Sequence, residues 1–196
     1  MSEFADPVPL TGERVALEPL AHHHAGELRA VVAEGDLHRT WYTRIPAPDA
    51  VEAEIERRLG LQRQGVMAPW AIRRLDTGAL CGATTYMNVR PGDRKLEVGS
   101  TFLAPGAQRT GINAEAKLLL LTRAFEVLRC VAVEFRTHWH NHQSRTAIAR
   151  LGAKQDGVLR NDTVMPDGTL RDTVVFSVLD TEWPAVRNGL RHRLAR

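Results

Sequence analysis

The residues of this 196-residue chain that could do chemistry concentrate in its second half. The densest group is Gln108-Arg109-Thr110-Gly111-Ile112-Asn113-Ala114, which falls between a β-rich run, Leu96–Leu103, and a long amphipathic stretch. A helix entered through such a turn presents several backbone N–H groups without partners, all directed at one spot. The helix dipole adds partial positive charge there, and Arg109 adds a full one. That spot suits a phosphate. A second group is the alternation His138, His140, His142. On an extended strand all three would face one side, as metal ligands do. Neither carboxylate nor thiol accompanies them, so no metal is assigned. Cys81 and Cys130 lack C-x-x-C spacing and read as buried small hydrophobes of a reducing compartment.

The elements that must position these groups are set by periodicity. Arg14–Leu20 reads as a first strand and Ala25–Ala33 as a helix with Leu28, Val31 and Val32 on one side. An irregular segment from Asp36 to Pro48 carries Trp41 and Tyr42. A second helix comes next, with Asp49 as its expected cap. From Pro69 the period becomes alternating, and Trp70–Leu75, Leu80–Val89 and Leu96–Leu103 read as consecutive antiparallel strands. A helix from about Asn113 to Leu128 carries Ala114, Leu118, Leu121, Phe125 and Leu128 on one stripe. Val131–Thr137 is a strand and Ser144–Leu151 a short helix. Lys154–Arg160 and Thr173–Leu179 are final strands, and residues 181–196 form a terminal helix opened by Trp183-Pro184. Strands and helices mix without regular alternation, which predicts a single α/β domain whose sheet has antiparallel and parallel pairs.

The residues within and just after the turn narrow the phosphate ligand it suits. Gly106 and Gly111 satisfy the first half of the nucleotide-hydrolase pattern G-x-x-x-x-G-K-[ST], but Ile112 and Asn113 stand where lysine and a hydroxyl belong. A dinucleotide turn, G-x-G-x-x-G, is absent. Instead, Gln108–Asn113 resembles the Q/R-x-x-G-x-G/A pyrophosphate loop of the GNAT superfamily of acetyl-CoA-dependent N-acetyltransferases. Glu97-Val98-Gly99 resembles the E-[IV]-G strand of its RimJ/RimL branch, and Asn141-His142-Gln143-Ser144, with Ala147 and Arg150–Ala153, resembles that branch's N-x-x-S segment. Thr11–Val15 and Glu18-Pro19-Leu20 resemble its opening strand. The chain departs from the loop pattern at its last position, where Asn113 replaces a small residue and could instead cap the helix.

The resemblance implies a mixed, centrally splayed β-sheet flanked by helices, with acetyl-CoA as cosubstrate and no metal. Its pyrophosphate would sit on Gln108, Arg109, Thr110, Gly111, Ile112, Asn113 and Ala114. Its pantetheine arm would lie as a pseudo-strand against Phe102 and Leu103, bonded also by Asn141. Ser144 would help protonate the departing thiolate; it could equally cap its helix. Glu97 would serve as general base through water, the alternative being a charged residue on a solvated strand face. Trp41 and Tyr42 would border the acceptor cleft or pack in the core. The acceptor is a primary amine, a peptide N-terminus being favoured over small amines and antibiotics. Rival readings are a non-catalytic acyl-CoA-binding module and a metal-binding regulator built on the histidine row.

Bulk properties exclude other classes. The net charge is +3, and of 26 basic residues only Lys95, Lys117 and Lys154 are lysines. A nucleic-acid binder would concentrate its charge in a stripe. The candidate stripe, Arg187, Arg191, Arg193 and Arg196, is adequately explained as a solvated helix face, so no nucleic-acid partner is assigned. No apolar run approaches the roughly 20 residues that span a bilayer. The opening MSEFADPVPL lacks the pattern of a signal peptide, which makes the cytoplasm the expected compartment. A homodimer through the terminal strands and helix is a further expectation.

Overall fold

In a computed structural model, residues 3–195 are described. Strands β1 (Leu10–Thr11), β2 (Val15–Pro19), β3 (Ala68–Arg74), β4 (Leu80–Arg90), β5 (Lys95–Leu103), β6 (Ala132–His138), β7 (Lys154–Val164) and β8 (Leu170–Leu179) form one sheet. Their spatial order is β1-β2-β3-β4-β5-β6-β8-β7. Helices α1 (Ala25–Ala33), α2 (Val51–Arg63), α3 (Ile112–Thr122), α4 (His142–Arg150) and α5 (Trp183–Leu194) flank it. Five successive strands pair antiparallel, whereas β5 and β6, joined by the long crossover through α3, pair parallel. This is the expected mixed α/β sheet.

Strand alternation divides the core into two layers. On one face Trp70, Ile72, Tyr86, Leu96 and Val98 pack with Leu120 and Leu121 of α3 and with Trp183 and Leu190 of α5. On the other, Ala71, Ala83 and Phe102 meet Leu28 and Val32 of α1 and Val51 and Ile55 of α2. Phe102 has the same parity as Leu96 and Val98, yet it faces the opposite layer. A bulge explains this: the β4–β5 register shifts between Ala83 and Thr85, and Ser100 sits at φ 46°.

Helix α3 is tied to the first strands through a buried carboxylate. Glu115 accepts the backbone N–H groups of Glu13, Arg14 and Val15 at 3.0, 2.7 and 2.8 Å. Gly12 makes room for it, since a Cβ there would lie 2.6 Å from Glu115 Cδ. The helix that periodicity extends to Leu128 ends as α-helix at Thr122 and continues as a π-turn over Arg123–Val127. The wider turn accompanies the buried Arg123, whose Nη2 donates to the carbonyls of Glu3 and Asp6. Asp49 does not cap α2; it lies in a 3₁₀ turn, and Ala50 holds the cap position without a side-chain bond. Of the terminal arginines, Arg187 pairs with Glu126 and Arg193 donates to the Arg150 carbonyl, while Arg196 lies outside the described residues. No described helix is long and apolar enough to cross a membrane.

Candidate active site

The turn between β5 and α3 is built as its residue types require. Arg109 adopts φ 62° and Gly111 φ 89°, so the chain reverses sharply before the helix begins. Thr110 Oγ1 donates to the Ala107 carbonyl at 2.7 Å and locks the bend. The backbone N–H groups of Arg109 through Ala114 donate to no acceptor among the described residues, whereas the N–H of Gln108 is taken by Pro105. A row of free donors at a helix start is an anion site. Gly111, not Asn113, occupies the cap position, which removes the capping explanation for Asn113; its buried Oδ1 has no partner. The side chain of Arg14 runs along Gly111, its Cδ 3.5 Å from where a Cβ would sit, and donates to the Leu194 carbonyl. It brings a second cation to the same spot.

Below the turn the sheet opens. β5 and β6 pair only from Lys95–Glu97 to Ala132–Glu134, after which β5 runs on to Leu103 and β6 to His138 without meeting. β6 is instead held along its full length by β8. Glu97 stands at the point of divergence, 5% exposed, accepting from Asn88 Nδ2 at 2.6 Å with Arg136 Nε at 3.8 Å. Burial pushes its carboxyl above the ordinary range, while the Asn88 amide and the Arg136 charge pull it back. It is not a solvated surface charge. At the far end of β5, buried Arg58 of α2 lies 6.0 Å over the Phe102 ring and donates to Thr85 Oγ1 at 2.8 Å.

Across the opening, Asn141 caps α4: its Oδ1 accepts the N–H of Ser144 at 3.0 Å. Capping is therefore the role of Asn141, and the Ser144 hydroxyl is not used for it. Gln143 Nε2 donates to Gln108 Oε1 at 3.0 Å, and Gln108 Nε2 donates to the Leu103 carbonyl at 3.1 Å. The Gln108 amide thus bonds a β5 edge carbonyl that β6 leaves unpaired.

The outer wall of the opening is aromatic. Trp41 is 54% exposed, so it is not a core residue, and its ring lies 5.4 Å from Tyr42 and 5.1 Å from His138. The extended row expected of His138, His140 and His142 does not exist, because β6 ends at His138 and the chain turns. No group of described residues is arranged to hold a metal ion. His138 is 3% exposed; its Nδ1 accepts the N–H of His140 at 3.1 Å, and its Nε2 has no partner. Burial depresses its pKa, and the neighbouring Arg171 and His140 act in the same direction.

The family description "Acetyltransferase (GNAT) domain" matches residues 14–154, most of the chain. The chain belongs to the GNAT acetyltransferase family. A candidate acetyltransferase from T. thermophilus is 37% identical and superposes with a TM-score of 0.85, over 96% of this chain and 98% of that one. A GCN5-related N-acetyltransferase from Brucella melitensis is 28% identical, with a TM-score of 0.87 over 96% of this chain and 86% of that one. Mycobacterium smegmatis RimJ, solved in complex with CoA-disulfide, shares the fold at 20% identity, with a TM-score of 0.78 over 95% of this chain and 93% of that one. No protein among the curated sequences matches.

Within this GNAT chain, the structure brings together residues that single-sequence reading left unconnected. Asn88 and Arg136 hold Glu97, and neither carries a motif of its own. Arg14 reaches the loop from the turn before β2, a contact between residues far apart in sequence, which no local pattern signals. Trp41 and Tyr42 meet His138 from a loop that follows the 3₁₀ turn over Glu34–Arg39, in which Gly35 and Asp36 sit at positive φ. Cys81 and Cys130 are buried free thiols, pushed up by burial to about 11 and about 12, which leaves them unreactive.

Proposed function

We propose that this acetyltransferase moves the acetyl group of acetyl-CoA to a primary amine by direct attack in a ternary complex, with a peptide N-terminal α-amine as the favoured acceptor. The observation that carries the reading is the run of unpartnered backbone N–H groups from Arg109 to Ala114, flanked by Arg109 and Arg14, at the mouth of the opening between β5 and β6. In this reading the run takes the pyrophosphate, and the pantetheine arm lies along Phe102 and Leu103, displacing the Gln108 amide from the Leu103 carbonyl. The Asn141 side chain, its oxygen engaged by the cap, offers its amide hydrogens to the arm. Ser144, in the first turn of α4 with a hydroxyl not spent on capping, donates toward the departing thiolate.

Glu97 takes the proton that the acceptor amine must lose. Its raised pKa suits a base, because proton affinity is then closer to working pH. An α-amine of pKa near 8 costs about 1.4 kcal/mol to deprotonate at pH 7, against about 4.6 kcal/mol for a lysine near 10.4. A single carboxylate serves the first more easily, which supports the α-amine. RimJ of M. smegmatis, seen with CoA-disulfide, has the same fold. Two buried free thiols are in keeping with a reducing cytoplasm. The test is a thermal-shift titration with acetyl-CoA, followed by an amine panel monitored for free CoA thiol. The midpoint should rise, Gly111→Glu should abolish the rise, and peptides with free N-termini should release thiol. No rise in the unaltered protein would refute the cosubstrate assignment.

A further inference from the structure

The face of the sheet that carries Glu97 holds more positive charge than it neutralises. Parallel pairing sets Glu97 beside Glu134, so Arg136 and His138, at even steps along β6, lie on the Glu97 face. Antiparallel pairing then sets Thr173 of β8 beside His138, and Arg171 two residues on projects from the same face. Arg136 is matched by Glu134 at 3.0 Å. Arg171 is not matched. It is half-buried, its Nε donates to Thr173 Oγ1 at 2.9 Å, and no described carboxylate lies within 4.0 Å of its guanidinium. Asp162 and Glu97 act on it from farther away, and Arg44 and Arg136 repel it. Arg44, on the Trp41 loop, also lacks a carboxylate among the described residues; it donates to the Val164 carbonyl at 3.3 Å. Asp172, the nearest acid in sequence, is engaged by Arg160 at 2.6 Å.

A buried donor stands beside these cations. His138 Nδ1 accepts from a backbone N–H, so in the neutral ring the hydrogen must sit on Nε2. That N–H is buried and has no acceptor. Nδ1 faces its own turn, and Nε2 occupies the far edge of a ring enclosed by Trp41 and Tyr42. An unmatched guanidinium, an unmatched N–H and an aromatic wall in one place describe a receptor for a small anion whose carrier passes the aromatic rim.

We infer that the acetyl acceptor carries a carboxylate near its amine, received by Arg171 and the His138 Nε2–H with Arg44 at the rim, while the amine faces Glu97. This rests on the reading of Glu97 as the acceptor-side base. A free acidic amino acid and a peptide with an acidic residue next to its N-terminus share this chemistry. Specificity then comes from charge as well as from the pKa of the amine.

The experiment measures kcat/KM for thiol release with four acceptors at saturating acetyl-CoA: Ala-Asp and Ala-Lys peptides with amidated C-termini, an Ala-Ala amide, and free glutamate. Acidic acceptors should exceed the neutral and basic ones by roughly tenfold or more, the worth of one charge-assisted hydrogen bond, and chiefly through KM. The stronger of Ala-Asp and glutamate identifies the source of the carboxylate. Arg171→Gln should bring the ratio of acidic to neutral turnover close to unity, and Arg171→Lys should restore part of it. Arg63→Gln, on exposed α2 surface, should leave the ratio unchanged. Added salt should erode the preference. Equal turnover of all acceptors by the unaltered protein, or a ratio that survives Arg171→Gln, overturns this inference and leaves acetyl transfer standing. No thiol release from any amine, with no thermal shift by acetyl-CoA, overturns both.

Discussion

Lys117 of α3 offers the sharpest quantitative test of the physical reading. Its ammonium is buried beneath β4 and β5, where Nζ donates to Thr84 Oγ1 at 3.1 Å and Thr101 Oγ1 at 2.7 Å, and no carboxylate among the described residues answers its charge. Burial alone pushes its pKa from 10.5 down to about 7. A shift of that size corresponds to roughly 5 kcal/mol against the charged form. The unfolded chain therefore binds a proton that the folded protein releases between pH 7 and 10.5, so this group lowers stability as pH falls through that window and its full penalty is present below pH 7. Lys117→Met keeps the volume of the side chain and removes the penalty. The two threonines keep each other as partners at 2.8 Å, so the substitution forfeits only the two bonds to the amine, about 1 kcal/mol each. The variant should be more stable near pH 6 by about 3 kcal/mol, a rise of about 6–12 °C in Tm for a chain of this size. The gain should shrink toward pH 10.5 and then change sign, leaving only the lost hydrogen bonds. Melting curves of both proteins across this range measure it. A variant less stable near pH 6, or a difference independent of pH, would refute the account of Lys117 as a buried amine carrying a desolvation cost.

Other perturbations separate chemistry from structure. Glu97→Gln should lower kcat by about 10²–10⁴ while leaving the acetyl-CoA thermal shift intact. In the unaltered enzyme kcat/KM should fall on the acid side with a midpoint above 4.5, because burial raises this carboxyl, and the variant should lose that limb. Ser144→Ala should slow turnover without loss of stability, since Ser144 does not cap α4, whereas Asn141→Ala should cost about 1 kcal/mol in urea unfolding and raise the KM for acetyl-CoA. Glu115→Gln sets an NH₂ against the Glu13 N–H, or against those of Arg14 and Val15, whichever oxygen it replaces, and should destabilise by about 2–3 kcal/mol in the same assay.

Much of this protein is legible in its sequence because the signals are local. Helix α1 coincides with the run whose apolar spacing marks it, and the β3–β5 meander falls where alternation and turn residues place it. The Gln108–Asn113 loop and the Glu97 strand are likewise recognisable from short patterns, since glycine and a charged turn before an apolar stripe leave few other conformations. Caps are less legible. Asn141 and Ser144 are both good caps by type, and only the path of the chain after His138 decides that the first serves. The same turn dissolves the histidine row, whose alternation has meaning only on a strand that continues.

What tertiary structure alone decided is which side chains meet. The bulge at Ser100 moves Phe102 to the α1 and α2 layer while Leu103 keeps to the other, a parity change that no hydrophobic period encodes. The opening after Glu97 lies where β5 and β6 part while β8 holds the other edge of β6 along its whole length, an arrangement set by pairing between strands distant in sequence. Burial then turns ordinary residue types into unusual ones: a carboxyl with raised pKa, a lysine without a counter-charge, an imidazole N–H without an acceptor. Residue type and spacing set local conformation and the loop that attracts an anion. Solvent exclusion, which depends on the whole packed chain, sets the chemistry those residues can perform.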